Sequence, residues 1–438
     1  MRFRALACAA IAACIALAST TRTTALGRPG ITPVPCPDQV WQRGDPAFEA
    51  LPGAKAYFGQ YDGGIYKIEI PDTWNGELAL YAHGFVSNAG TQGSALRVGN
   101  SPIRDHLIQS GYAWAASSYR CNGYVPGQGL VDTMALTDLF TGFNGGRAPQ
   151  RVFLTGTSMG GHVTLLGMHE FPTTFAGGLA MCPAGPELFD FFAATAGAAE
   201  VITGVQMKLD TMAQDLSKMS EMLGKTTELT EKGRQLASVE IQISGGARPF
   251  AMEGLAQGAR FTGNISGAAL AGSTTPSNRA VMTTHIRYAI DEGLGLTADA
   301  LNKNARRKAF DAEVRTPTGP YDELVPFDGR LERPVITMHG TGDLFVPIVL
   351  EQTLKRAVAA SGKSSLLTQR VYRIAGHCGF SQPEMIKAFD DLTAWVHKGA
   401  RPAGDEVDGD LSNAGRTFTD PLRPNDPGGI RVTPGAKH

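Results

Sequence analysis

The sequence has almost no excess of charge: 40 Lys and Arg stand against 41 Asp and Glu over 438 residues, a formal net charge of -1. A balance of this kind gives no basis for a nucleic-acid partner or an anionic membrane surface, and neither is expected. Nor is there an apolar run long enough to span a bilayer. Ala5 to Leu17 follows the short basic stretch Met1-Arg2-Phe3-Arg4 and leads into Ala16-Leu17-Ala18, a small-x-small cleavage pattern. The reading is a signal peptide over 1-18, with a mature start near Ser19. Ile11-Ala12-Ala13-Cys14 offers the alternative of a lipoprotein anchored at Cys14. Export, extracellular or periplasmic, is common to both. Cysteine is scarce too. Without Cys8 and Cys14, four remain: Cys36, Cys121, Cys182 and Cys378. None has metal-ligand spacing, so no metal is expected, and no cofactor. Four cysteines in an exported chain suggest disulfides in one of three pairings, with buried free thiols as the alternative.

What the sequence does have is 53 glycines, and at one place their spacing carries chemistry. Gly156-Thr157-Ser158-Met159-Gly160 lies between an apolar strand pattern, Arg151 to Thr155, and a helix-like run, His162 to Met168. G-x-S-x-G between a strand and a helix is a nucleophile elbow: the turn is so sharp that only small residues fit on either side of the serine. It lifts the hydroxyl clear of the sheet, at a helix N-terminus whose amides can receive a developing oxyanion.

Strand and helix patterns alternate around this turn. Strands are expected at Ile65 to Ile70, Glu77 to Ala82, Tyr112 to Ser118 and Ala176 to Met181, then at Pro334 to Met338 and Gln369 to Ala375. Helices are expected at Ile103 to Ser110, Val131 to Phe140, Val349 to Ser361 and Glu384 to His397. That alternation predicts a mostly parallel sheet with crossover helices. It stops between 183 and 330, which reads as a mainly helical lid inserted into a core of 19-182 and 331-398. Leu209, Met212, Leu216, Met219 and Leu223 form one apolar stripe there, either packing onto the core or lining a pocket. Ala280 to Glu292 and Ala298 to Val314 are further helix candidates, with a Gly/Ser/Thr-rich stretch, Ser244 to Ser277, before them. The Pro/Gly-rich tail, 399-438, is expected to be extended or poorly ordered.

A serine nucleophile needs a base, and the base needs a carboxylate to hold its tautomer. In such a sheet both follow the serine, acid before histidine, in loops at the C-terminal ends of later strands. Asp343 and His377 meet that condition. Ser158 and Asp343 are 185 residues apart, where two βα units of roughly 30 residues each would take about 60 to 80; the surplus is the insertion. His339 precedes Asp343 and reads as structural, and His162 and His169 point away from the hydroxyl. For an oxyanion hole, one amide comes from Met159. The other comes from the loop His83-Gly84-Phe85, with Phe85 as the donor and Gly84 as second choice.

At these residues the chain resembles the α/β-hydrolase superfamily. Its C-terminal third is similar to the tannase and feruloyl esterase family in Met338-His339-Gly340-Thr341-Gly342-Asp343, in Gly376-His377-Cys378-Gly379 and in Leu392-Thr393-Ala394-Trp395-Val396. The resemblance implies an α/β-hydrolase fold with a lid and a secreted serine esterase. The substrate would be a small-molecule or oligomeric ester, with phenolic and short acyl esters foremost. In that family a cysteine just before the serine bonds the one after the histidine. Here Thr157 holds that place, which makes Cys182 the candidate partner of Cys378 and leaves Cys36 for Cys121. A peptidase or amidase of the same fold is the alternative, and a non-catalytic binding protein on this scaffold a third reading.

Overall fold

The computed structural model describes residues 48–87, 95–208, 210–257, 260–267, 278–316 and 322–419. The signal sequence, Cys14, Cys36, Leu209 and the tail beyond 419 lie outside them. Eight strands make one sheet: β1 (Ala54–Tyr61), β2 (Gly64–Pro71), β3 (Glu77–Ala82), β4 (Ala113–Ser117), β5 (Arg151–Thr157), β6 (Gly177–Met181), β9 (Val335–Gly340) and β10 (Leu367–Tyr372). Their spatial order is β1-β2-β4-β3-β5-β6-β9-β10. The β1–β2 and β2–β4 pairs are antiparallel, and from β4 to β10 every neighbouring pair is parallel. β1 and β2 turn at Asp62-Gly63, both at positive φ, as a two-residue hairpin loop requires.

A sheet covered on both faces needs strands apolar on both sides, and these are. Leu78, Leu80 and Ala82 of β3 join one core, while Ala79 and Tyr81 between them join the other. β5 divides likewise, Val152 and Leu154 against Phe153. The first core is covered by α2 (Pro126–Phe143), α3 (Met159–Glu170) and α10 (Val349–Ala360). The second is covered by α1 (Arg104–Gln109) and α11 (Gln382–Lys398), which set Leu107, Phe389 and Leu392 against Trp114 and Phe153.

Between β6 and β9 the chain builds α4 (Leu188–Thr203), α5 (Met212–Leu223), α6 (Glu231–Ile243), α7 (Ala251–Ala256), α8 (Arg260–Gly267) and α9 (Ala298–Asn304), with a small hairpin of β7 (Gly224–Lys225) and β8 (Glu228–Leu229). These helices share a core of their own: Met219 and Leu223 of α5 lie fully buried with Ala194, Ala198, Leu236 and Leu255. The apolar stripe therefore packs inside the insertion.

Two expectations for this segment need correction. Ala280 to Glu292 is not helical: past a single turn at Asn278–Ala280 its amides find distant partners instead. Met282 N donates to Asp190 Oδ1, Thr283 N to Lys308 O and Tyr288 N to Asn302 Oδ1. The second candidate helix stops at Asn304, where Ala305 turns extended (φ -66°, ψ 132°) and the chain crosses back over α4. The described part of the Gly/Ser/Thr-rich stretch, Ser244 to Ser277, contains α7 and α8, in keeping with a mainly helical segment.

The insertion is tied down at both ends. Arg315 forms a buried ion pair with Asp190 at 3.2 Å, and donates from Nε to Leu324 O and from Nη2 to Pro186 O. Beyond α11, residues 399–419 form no helix or strand but are anchored to β10. Asp405 N donates to Gln369 O, Val371 N to Asp405 Oδ2, and Arg373 Nε to Ala414 O.

His162 on α3 links core and insertion. Its Nδ1 accepts from Tyr124 Oη at 2.8 Å and its Nε2 donates to Glu323 O at 3.0 Å, which the neutral ring satisfies completely. Burial pushes its pKa down to about 3. The unfolded residue takes up a proton near pH 6.5 and the folded one near 3. The neutral ring therefore stabilises the fold fully above about pH 6.5, and that contribution is lost as pH falls toward 3. Melting temperatures measured across this window are expected to fall, and His162→Asn to flatten the slope; an unchanged slope would contradict the assignment.

Candidate active site

Ser158 sits between the last residue of β5 and the first of α3 at φ 59°, ψ -118°. Strain of this kind persists only where the surroundings impose it. Here they do: α3 comes so close to the sheet that a methyl group on Gly160 would overlap the Ala82 carbonyl, and one on Gly156 would overlap the Gly160 carbonyl. With the helix pressed against the strands, the serine has no space in which to relax.

The two later loops meet it. Ser158 Oγ lies 2.8 Å from His377 Nε2, and His377 Nδ1 lies 2.6 Å from Asp343 Oδ2. Asp343 is 1% exposed. Its other oxygen accepts from Phe345 N and Val346 N, each at 3.0 Å. Burial alone would raise this carboxyl. The charge and hydrogen bond of His377, the charge of His339 and the Val346 amide outweigh it and hold the group below its usual range. The carboxylate thus stays ionised beneath the imidazole, fixing Nδ1 as the protonated nitrogen and Nε2 as the acceptor facing the hydroxyl.

The loop after β3 lies against Ser158, with a Cβ on Gly84 only 3.3 Å from Ser158 Cβ. Among the described residues the Phe85 amide has no acceptor, and Met159, first in its helix, has no intrahelical one. His83 stacks on Tyr119 with centroids 3.9 Å apart and reaches Ser118 O and Gly84 O, bracing this loop. His339 is the fifth residue of β9 and lies 2.9 Å from Val346 O, behind the acid. His169 pairs with Glu170 and Asp328, away from Ser158.

Cys182, directly after β6, is disulfide-bonded to Cys378, directly after His377. Ser158 N donates to Met181 O, so the bridge joins the histidine loop to the strand end beside Ser158. Thr157 takes a different role: its hydroxyl meets Tyr81 Oη at 2.9 Å. Cys121 is also disulfide-bonded; its expected partner Cys36 lies outside the described residues. Cys182, Cys378 and His377 cluster closely enough for a metal, but both sulfurs are in the bridge and offer no thiolate.

The insertion contributes residues that sequence reasoning missed. Arg248, buried with its pKa lowered to about 10, donates from Nε to Thr341 O at 2.6 Å. Asn264 donates to Leu344 O at 3.1 Å and to the buried Glu240 at 3.0 Å. Asp343 is therefore gripped on both sides. No spacing rule relates residue 248 or 264 to 343, so nothing in the sequence marked them. Two clefts lie elsewhere, one of 570 Å³ around Gln150, Thr174 and Trp395 and one of 430 Å³ between the insertion and α10; neither is lined by Ser158 or His377.

This strand order, with a serine on a strained turn after β5, defines the α/β-hydrolase fold. The sequence matches no protein-family model and no curated protein. Among solved structures, it is similar to feruloyl esterase B from Aspergillus oryzae at 16% identity, over 87% of this chain and 89% of that one, with a TM-score of 0.42. It is also similar to the Pyrococcus furiosus esterase Pf2001 (14% identity, 84% and 96% covered, TM-score 0.38). A third is the Pyrococcus horikoshii acylaminoacyl peptidase (10% identity, 81% and 44% covered, TM-score 0.40).

The Cys182–Cys378 bridge closes a loop of 196 residues. Replacing both cysteines by serine is expected to lower the unfolding free energy by about 2–4 kcal/mol in urea titrations. An unchanged midpoint would show that the bridge adds nothing to the packing around it.

Proposed function

We propose that the chain is an exported serine hydrolase that cleaves carboxylic esters through an acyl-enzyme intermediate, with the insertion as a lid over the site. The observation that carries this reading is the continuous hydrogen-bonded series from Ser158 Oγ through His377 to Asp343.

Ser158 Oγ attacks the ester carbonyl carbon while His377 Nε2 takes its proton. The carbonyl electron pair moves onto oxygen, where the amides of Met159 and Phe85 receive it, with Gly84 the alternative donor. As the C–O bond breaks, Nε2–H delivers the proton to the departing alkoxide and leaves Ser158 acylated. Water then attacks the acyl carbon, giving its proton to Nε2, which returns one to Oγ as the acid departs. Asp343 stays ionised throughout and stabilises the imidazolium in each half-reaction.

Phenolic or short acyl esters suit the surroundings of the histidine. A series of ring contacts runs from His377 to Phe345 (5.2 Å) and on to Phe192 (5.9 Å), giving the site an apolar backing. The bridged cysteines favour an oxidising compartment, in keeping with export.

A fluorophosphonate probe is expected to label the native protein and not Ser158→Ala, and the variant to lose about a thousandfold or more in turnover of short acyl or feruloyl esters. Turnover of aminoacyl anilides alone would make it an amidase. Absence of labelling in the native protein would overturn the triad.

A further inference from the structure

Arg260 opens α8, and Asn264 follows one turn later on the same face. Asn264 holds Leu344 in place. Arg260 lays its guanidinium over the ring of Phe345, 4.0 Å from the centroid, and that ring meets His377 edge-on at 5.2 Å. The cation therefore stands one ring away from the imidazole that faces Ser158.

Its own state is unusual. Arg260 is half-buried, and loss of water lowers its pKa against the opposing field of Asp343. Among the described residues it has no hydrogen-bond acceptor and no ion-pair partner. Asp343, the carboxylate whose field it feels, is already bonded to His377 and to two amides. Stacking on Phe345 uses one face of the guanidinium and leaves the N–H edge without an acceptor among the described residues. A partly dehydrated cation with open donors is well placed to take an anionic group that supplies the acceptors. The stack also fixes the plane of the fork, which suits a planar carboxylate accepting two parallel hydrogen bonds.

Building on the ester hydrolase reading above, we propose that Arg260 binds a carboxylate carried by the substrate. The preferred substrate is then an ester with a second, ionised carboxyl group, such as the monoester of a dicarboxylic acid. The ester carbonyl sits at Ser158 while the free carboxylate reaches across Phe345 to the guanidinium edge. A residue that merely braced Phe345 would be indifferent to substrate charge.

The test compares mono-4-nitrophenyl adipate with 4-nitrophenyl hexanoate, which share leaving group and carbon count and differ in a terminal carboxylate against a methyl group. The native protein is expected to favour the adipate by about tenfold or more in kcat/KM, as a charged hydrogen-bonded pair implies. Added salt should shrink that ratio. Arg260→Gln should lower it about tenfold, chiefly through KM, with Arg260→Lys between the two. Should the glutamine variant fail to fold, the lysine variant and the salt dependence of the native ratio still decide. A native protein that cleaves the hexanoate without favouring the adipate, or a glutamine variant that slows both esters equally, overturns the assignment of Arg260 alone. A native protein that cleaves neither overturns the assignment of Arg260 and, where the fluorophosphonate probe also fails to label it, the hydrolase reading as well.

Discussion

Everything at this site depends on how closely α3 approaches the sheet. The helix begins one residue after a strand ends, and it fits only because Gly156 and Gly160 present hydrogen where any side chain would strike a carbonyl. That approach forces Ser158 into a left-handed backbone conformation and aims its hydroxyl at the loops beyond the strand ends. Were the helix even a methyl group further out, the serine would relax, and the loops bearing His377 and Asp343 would converge on an empty point. The strain at Ser158 is thus held in place by the close packing of α3 on the strands.

The acid is held in a different manner. Asp343 lies in a loop pressed between the end of β9 and the insertion, with Arg248 and Asn264 bonded to the carbonyls on either side of it. The insertion therefore acts as scaffold: the face that meets the acid loop is built into the position of the carboxylate. The histidine is fixed by a third device, the covalent link from Cys378 to Cys182. Close packing, hydrogen bonds to carbonyls and a disulfide each hold one member of the series.

The sheet was legible because its signal is local. Alternation along β3 and β5 divides their side chains between two cores, and the apolar runs at β4, β6 and β9 fit strands covered on both faces. Ser158, Asp343 and His377 were legible because strand ends in such a sheet share one edge, so order along the chain stands in for proximity. The inner layout of the insertion was not legible, for a physical reason. Residues 280 to 292 have a composition that suits a helix, but Met282, Thr283 and Tyr288 satisfy their amides on Asp190, Lys308 and Asn302. Those partners are about 14 to 92 positions away, and no window of a few turns contains them. The grip of Arg248 and Asn264 on the acid loop, and the placing of Arg260 over Phe345, are of the same kind: they are products of tertiary packing and leave no periodic trace.

The tail beyond α11 has a consequence for how this molecule meets its neighbours. β10 is the last strand on its side, and an outermost strand ordinarily offers a row of unpaired amides and carbonyls to any other chain. Here Asp405 takes up Gln369 O and Val371 N, and Thr419 and Ala414 engage Arg373. That flank is capped by the protein's own backbone in irregular form, without adding a ninth strand whose far side would present the same problem again. Gln369 O and Val371 N are thereby withheld from pairing with another sheet, and the irregular tail acts as a guard on the strand that leads to the histidine.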